Sequence, residues 1–332
     1  MKLATLKNGQ RDGQLMVVSR NLRNAVIAKP FTTLQQALDN WTEAEQVLNL
    51  QYQALNQGSA FEAFAFDPTL VAAPLPRAYQ WCDGSAFLNH AHLLQKAFDL
   101  APMKDERIPL MYQGASDDFL GPCDDVPLPE VSHNIDFEGE FAVIVGEVPM
   151  GCPADQALQY VRLVLLVNDV SLRGFLLHEV STGFGFFQSK PSSSFSPVAV
   201  TPDALGDAWR DGRVCLPLTV TWNHSWFGAP NGAEMSFSFA DLIAHAARTR
   251  RLRAGTIIGS GTVSNVDRTA GSACISERRA IEMIEQRKPL TGFMNFGDRI
   301  RIEALDGEGE SVFGAIDQRV VDATSLIQKA MS

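Results

Sequence analysis

A chain of 332 residues can form one large domain or two unequal ones, and 45% hydrophobic with 20% charged residues is ordinary globular composition. A net charge of -10 argues against nucleic acid or an anionic membrane as a partner, because both require a positive field. No run of about 18 apolar residues occurs, MKLATLKNGQRDGQ has no signal-peptide core, and Cys82, Cys123, Cys152, Cys215 and Cys274 lack C-x-x-C spacing, so the expectation is a cytoplasmic protein with reduced thiols.

In chain order, residues 2–28 read as short strands, KLATL, QLMVVS and NAVIA, with a turn at Asn8-Gly9. From Thr33 to about Asn56, Leu34, Ala37, Leu38, Trp41, Ala44, Val47, Leu48 and Tyr52 recur near helical spacing and predict one or two helices. The stretch 67–77, rich in proline and alanine, reads as an extended connector. It places a boundary near residue 72, between a small N-terminal α+β domain (1–72) and a larger domain (73–332). Beyond residue 76, short apolar strands alternate with turn-rich loops. Helices are expected only near 86–98, 154–161, 238–252 and 278–287, which makes the fold class a β-dominated α+β. The segment 102–129 is long enough to serve as a lid.

The stretch Ile135 to Val145, IDFEGEFAVIV, alternates. Ile135, Phe137, Phe141, Val143 and Val145 share one face with Gly139, while Asp136, Glu138, Glu140, Ala142 and Ile144 share the other. Two acids at i and i+2 on a strand repel by about 2 to 3 kcal/mol at an effective dielectric of about 20. Either this face is solvated, or Glu138 and Glu140 hold a cation. The apolar run Val161–Val167 fits a strand buried on both faces; the following Asn168-Asp169 either delivers an acid to a site or makes an Asx turn. GFGFFQSKPSSSFSP, residues 183–197, is too rich in glycine, serine and proline for a regular element and carries one lysine, Lys190, either solvated or directed at the acids. The arginines of DLIAHAARTRRLR, residues 241–253, read as a solvated helix end. Residues 256–264 contain glycines but no nucleotide-loop motif, and their small side chains would let backbone approach a ligand. An alternating strand at 297–303, a turn at Asp306-Gly307 and a strand near 311–316 close the chain.

His90 and His92 lack the spacing of a zinc site. A carboxylate-only set, Asp83, Glu138, Glu140 and Asp169, would favour a hard ion and leave histidine for acid–base work. No G-x-S-x-G elbow is present, and acids on adjacent same-face positions stand too close together for the glycosidase pair.

Asp83 with His90 seven residues later, Tyr112-Gln113-Gly114, Glu138-Gly139-Glu140, Asn168-Asp169-Val170-Ser171, Lys190 and Ser260-Gly261-Thr262-Val263-Ser264 together resemble the fumarylacetoacetate hydrolase family, from about residue 76 onward. The resemblance implies a mixed β-roll or β-sandwich, usually a homodimer with sites near the subunit interface. It also implies a divalent ion, magnesium or calcium with manganese as an alternative, held by Asp83, Glu138, Glu140 and Asp169. His90 would be the base, Lys190 a positive donor to developing charge, and Tyr112, Thr262 and Ser85 the substrate contacts. Three departures stand out: Ser85 replaces a family tyrosine, no arginine follows the base around Phe98-Asp99, and the glutamate partner of the base falls at Glu277 only after a local shift.

The expected activity is hydrolysis of a carbon–carbon bond in a small anionic β-diketone of the fumarylacetoacetate or acylpyruvate type, in the catabolism of aromatic compounds. A hydratase, isomerase or decarboxylase acting on a 2-oxo acid would use the same ion site. A non-catalytic metal-binding oligomer is the remaining alternative.

Overall fold

The structure, a computed structural model, describes residues 1–99 and 105–324. Its central feature is an eleven-stranded sheet, in the spatial order Phe64–Ala65, Asn24–Ile27, Gln14–Val18, Lys2–Leu6, Ala199–Val200, Val161–Asn168, Gly139–Val145, Thr256–Gly259, Trp81–Gly84 and Met111–Gly114. Ser194–Phe195 pairs in addition with Val161–Asn168. The N-terminal strands therefore continue the sheet of the larger part of the chain, through the antiparallel pairs Lys2 with Val200 and Leu3 with Ala199. Within this sheet only Thr256–Gly259 and Trp81–Gly84 run parallel.

The alternation read in IDFEGEFAVIV sorts side chains between two apolar layers. Phe141, Val143 and Val145 pack with Val164 and Leu166 against a second, five-stranded sheet that contributes Leu218, Val220, Ile300, Ile302 and Ile316. Ala142 and Ile144 face the opposite way with Leu163, Leu165 and Val167, toward the helices Leu34–Asp39 and Trp41–Asn56. Thr33 caps the first of these helices by accepting from the Gln36 amide. Both faces of Val161–Asn168 are covered, which is why that strand reads as a continuous apolar run.

Several expected elements shift. The helix near 238–252 spans only Phe239–Ala246, started by a Ser238–Asp241 capping box. Its continuation is stopped by tertiary pairing: Leu252 bonds Val148 in both directions. The arginines therefore sit on a turn-rich segment and not on a helix end. The helix near 154–161 is one α turn, Ala154–Ala157, and a 3-10 turn, Leu158–Tyr160, before the strand takes over at Val161. The final strand is Ile316–Asp322 and not 311–316, because Gly314 at φ 71° breaks the extended path. Part of the expected lid, residues 100–104, lies outside the described residues. The remainder is not a free loop, since Met111–Gly114 pairs with Trp81–Gly84, and Val126–Leu128 pairs with Ile316–Asp322. One helix, Arg173–Thr182, was not anticipated, because its outward Leu177 and Val180 leave no simple apolar stripe to read.

Gly139 lies between the two glutamates and points into the inter-sheet core. A Cβ there would stand 3.1 Å from Leu218 and 3.3 Å from Val220. Gly139→Val is expected to destabilise the fold by about 1 to 3 kcal/mol through overpacking, measured by urea denaturation against the parent chain.

Candidate active site

Strand register assembles the acids. Gly139 pairs with Asn168 and Glu140 with Val167, which sets Asp169 beside Glu138; the Asp169 amide donates to the Glu138 carbonyl at 3.0 Å. Thr256–Gly259 lies between the Glu140 strand and the Asp83 strand, with Gly259 opposite both Ala142 and Asp83. Asp83, Glu138, Glu140 and Asp169 are all buried, and one ligand oxygen from each lies within 4.8 Å of the others. Two unshielded carboxylates at that distance repel by about 3 to 4 kcal/mol at an effective dielectric of about 20.

A buried cation, Lys190, and a partly buried one, Arg173, share the site. Lys190 Nζ donates to Glu138 Oε2 at 2.7 Å and to Asp169 Oδ2 at 2.5 Å, and Arg173 Nη2 donates to Glu138 Oε1 at 2.6 Å. Tyr112 Oη donates to Asp169 Oδ2 at 2.7 Å and Ser193 Oγ to Asp169 Oδ1 at 2.8 Å. The Gly261 amide donates to Asp83 Oδ1 at 3.0 Å. Gly261 has φ 74°, and a Cβ there would stand 2.3 Å from the Gly84 carbonyl, so glycine is required at this approach. Glu140 differs from the other three: among the described residues neither of its buried oxygens has a hydrogen-bond partner.

The titration behaviour follows from these contacts. Burial pushes the Glu138 carboxyl up, but Lys190 and Arg173 more than reverse this and hold it far below the usual range. Burial raises Glu140 well above that range, and the repulsion of Asp83, Asp169 and Glu138 adds to it. Asp83 is raised by burial and by Asp169, with Lys190 opposing. Burial lowers Lys190, yet Asp169 and Glu138 outweigh it and keep the ammonium protonated. Burial, then Asp169 and Asp83, raise Tyr112, which stays a neutral donor.

A buried carboxylate with no donor, in a cluster of four oxygen ligands, is satisfied by a cation or by protonation. The donor set is all oxygen, which suits a hard divalent ion. The site therefore fits a metal, and Glu140 is the residue whose surroundings demand one most.

Beside the acids, the helices Leu88–Phe98 and Ile275–Gln286 bring His90 Nδ1 to 2.8 Å from Glu277 Oε2. Glu277 lies in the first turn of its helix, where Cys274 is the N-cap and its Sγ accepts from the Glu277 amide. His92 instead faces Glu106 at 2.8 Å on the surface. Thr262 is buried between Gly261 and Val263, whose amide bonds the Gly139 carbonyl at 3.1 Å. Ser85 lies against the same turn, its Cα 3.1 Å from the position of a Gly261 Cβ.

Sequence reading passed over Arg173, Ser193 and Glu179. Arg173 carried a usable signal, a lone arginine four residues after Asp169 in an apolar segment. Glu179 roots the Lys190 loop by accepting from the amides of Phe187, Gln188 and Ser189 and from the Ser189 hydroxyl.

The chain matches the family described as fumarylacetoacetate (FAA) hydrolase C-terminal over residues 80–321, and fumarylacetoacetase N-terminal domain 2 over residues 1–77. It belongs to the fumarylacetoacetate hydrolase family, whose members include hydrolases, isomerases and tautomerases. It is 32% identical over 161 residues to a 2,4-didehydro-3-deoxy-L-rhamnonate hydrolase of Sphingomonas sp. SKA58, covering 48% of this chain and 54% of that protein. It is 27% identical over 161 residues to a mitochondrial oxaloacetate tautomerase of Rattus norvegicus, covering 48% and 49%. The chain thus spans about half the length of these two curated relatives. The fold is similar to that of maleylpyruvate hydrolase from Sphingobium sp. SYK-6 in complex with manganese(II) and pyruvate, with a TM-score of 0.63, 17% identity, and 97% and 99% of the two chains covered. No helix among the described residues is long and apolar enough to cross a membrane.

Glu179 provides a check on the loop. Burial raises its carboxyl, but the Ser189 hydroxyl and the three amides reverse this and hold it below the usual range. A depressed carboxyl stabilises above its unfolded pKa, and that contribution is lost as pH falls toward the folded value. Glu179→Gln should cost about 1 to 3 kcal/mol at pH 7, with the difference from the parent shrinking below about pH 4.5, followed by denaturant melts across pH.

Proposed function

We propose that the chain is a metal-dependent hydrolase cleaving a carbon–carbon bond in a small anionic β-diketone of the fumarylacetoacetate or acylpyruvate type. The observation that carries this reading is the His90–Glu277 pair beside the four-carboxylate cluster. A divalent ion, magnesium, calcium or manganese, held by Asp83, Glu138, Glu140 and Asp169 would supply Lewis acidity to the diketone oxygens. The manganese and pyruvate bound by the structural relative from Sphingobium support both the ion and a 2-oxo acid product.

The chain's own residues account for the remaining chemistry. Glu277 accepts a hydrogen bond from His90 Nδ1–H and so leaves Nε2 with a lone pair for water. The water oxygen bonds to the acyl carbon, the carbon–carbon bond breaks, and the electron pair passes to the leaving enolate. The proton taken by His90 Nε2 then returns to the α-carbon of that enolate, and the acyl half leaves as the carboxylic acid. Lys190 and Tyr112, both kept protonated, would stand as donors to the oxygens where charge develops. Thr262 would contact the substrate, and so would Ser85, which stands where the family carries a tyrosine.

The oxaloacetate tautomerase relative supports a second reading, in which the same site works on a 2-oxo acid without hydrolysis, as an isomerase, hydratase or decarboxylase. We further propose cytoplasmic action in aromatic catabolism. A division into domains 1–72 and 73–332 has support in the two matched ranges. Homodimer formation has support in the exposed Leu177, Val180, Phe184 and Phe187 on the helix and loop that lead to Lys190.

A spectrophotometric screen of fumarylacetoacetate and several acylpyruvates with Mg2+ or Mn2+ should show loss of enol absorbance that EDTA abolishes; loss that persists in EDTA rejects the metal mechanism. His90→Ala should lower hydrolytic kcat by about 10²- to 10⁴-fold, whereas a decarboxylase needing only the ion would retain most of its turnover. Leu177→Ser with Phe184→Ser should shift the protein from dimer to monomer in light scattering, and an unchanged mass would place the interface elsewhere.

A further inference from the structure

Asp136 is fully buried, yet it belongs neither to the ion cluster nor to the His90–Glu277 pair. It sits on the short strand Ile135–Asp136, paired with Ser171–Leu172. Its Oδ1 accepts from the Ile275 amide at 2.7 Å, and its Oδ2 from the Ser276 amide at 2.9 Å and from Arg173 Nε at 2.8 Å. Those amides are the first two of the helix Ile275–Gln286, and the next residue is Glu277. The other arm of Arg173 holds Glu138.

A buried carboxylate is costly unless its lone pairs are filled, and here every donor comes from one half or the other of the active site. One route runs from Asp136 through two amides to Glu277 and on to His90. The other runs from Asp136 through Arg173 to Glu138. A hydrogen bond at 2.8 Å tolerates only a few tenths of an ångström before it weakens, so the helix start must be fixed closely for Glu277 to keep the His90 ring oriented.

We infer that Asp136 is a positioning residue. It fixes the start of the Glu277 helix against the segment that carries Glu138, so that the His90–Glu277 pair stays in register with the carboxylate cluster. Its effect on turnover rests on the reading of His90 as the base, but its effect on His90 geometry does not.

The test uses the full chain labelled with ¹⁵N-histidine, with His90→Gln to assign the ring signals. The parent should show His90 with its proton on Nδ1. In folded Asp136→Asn that signature should give way to a mixture of tautomers, with kcat about tenfold lower and KM within about twofold of the parent. In a Glu277→Gln background the same substitution should cost less than about a further twofold, because the two residues act through one path. An unchanged His90 signature in folded Asp136→Asn, or losses that multiply, would overturn the inference. Should Asp136→Asn fail to fold, Asp136→Glu keeps the charge but moves the carboxylate out of line with the Ile275 and Ser276 amides, and an unchanged His90 signature there overturns it equally. If the parent turns over no substrate, the hydrolase reading fails while the ring signals still decide the role of Asp136.

Discussion

Four carboxylates whose ligand oxygens lie within 4.8 Å of one another, all shielded from water, are the constraint around which this chain is arranged. Their repulsion in a region of low dielectric exceeds what any one of them could sustain alone. Three receive donors from the protein: Lys190, Arg173, Tyr112, Ser193 and the Gly261 amide. Glu140 receives none among the described residues, and that imbalance is the strongest reason to read the cluster as an ion site. The cations are accordingly tied to Glu138 and Asp169, leaving the Glu140 and Asp83 side of the cluster with the raised carboxyls.

The two-layer core makes such a cluster sustainable. The strands that carry Glu140 and precede Asp169 are packed on both faces, one against the five-stranded sheet and the other toward the N-terminal helices. Strand ends in so rigid a frame move little, which suits ligand distances that must hold closely. The Lys190 loop and the Glu277 helix are each tied back by a buried acid. Glu179 closes the loop through three amides, and Asp136 receives the first turn of the helix. These two anchors hold the loop and the helix to the carboxylate cluster.

Much was legible in the residues themselves. The period-two pattern of residues 135–145 assigned Gly139 to the packed face and Glu138 and Glu140 to the other, and the apolar run Val161–Val167 announced a strand covered on both sides. Local chemistry suffices for such readings because alternation and strand propensity act over a few residues. Helix lengths were less legible where a distant partner intervened, as Val148 does in ending the helix after Ala246.

The sequence by itself determined the residue types available to the site: acids with oxygen donors in and beside strands, a lysine in a loop without regular structure, and a histidine free of zinc spacing. Tertiary structure alone decided the pairings, because residues 187 positions apart, such as His90 and Glu277, meet only when two helices dock. It also gave Asp136 its place. In the sequence pattern it is one of three acids on a face, and only the arrival of Arg173 and the helix at Ile275 turns it from a repelling neighbour of Glu138 into a satisfied link between the two halves of the site.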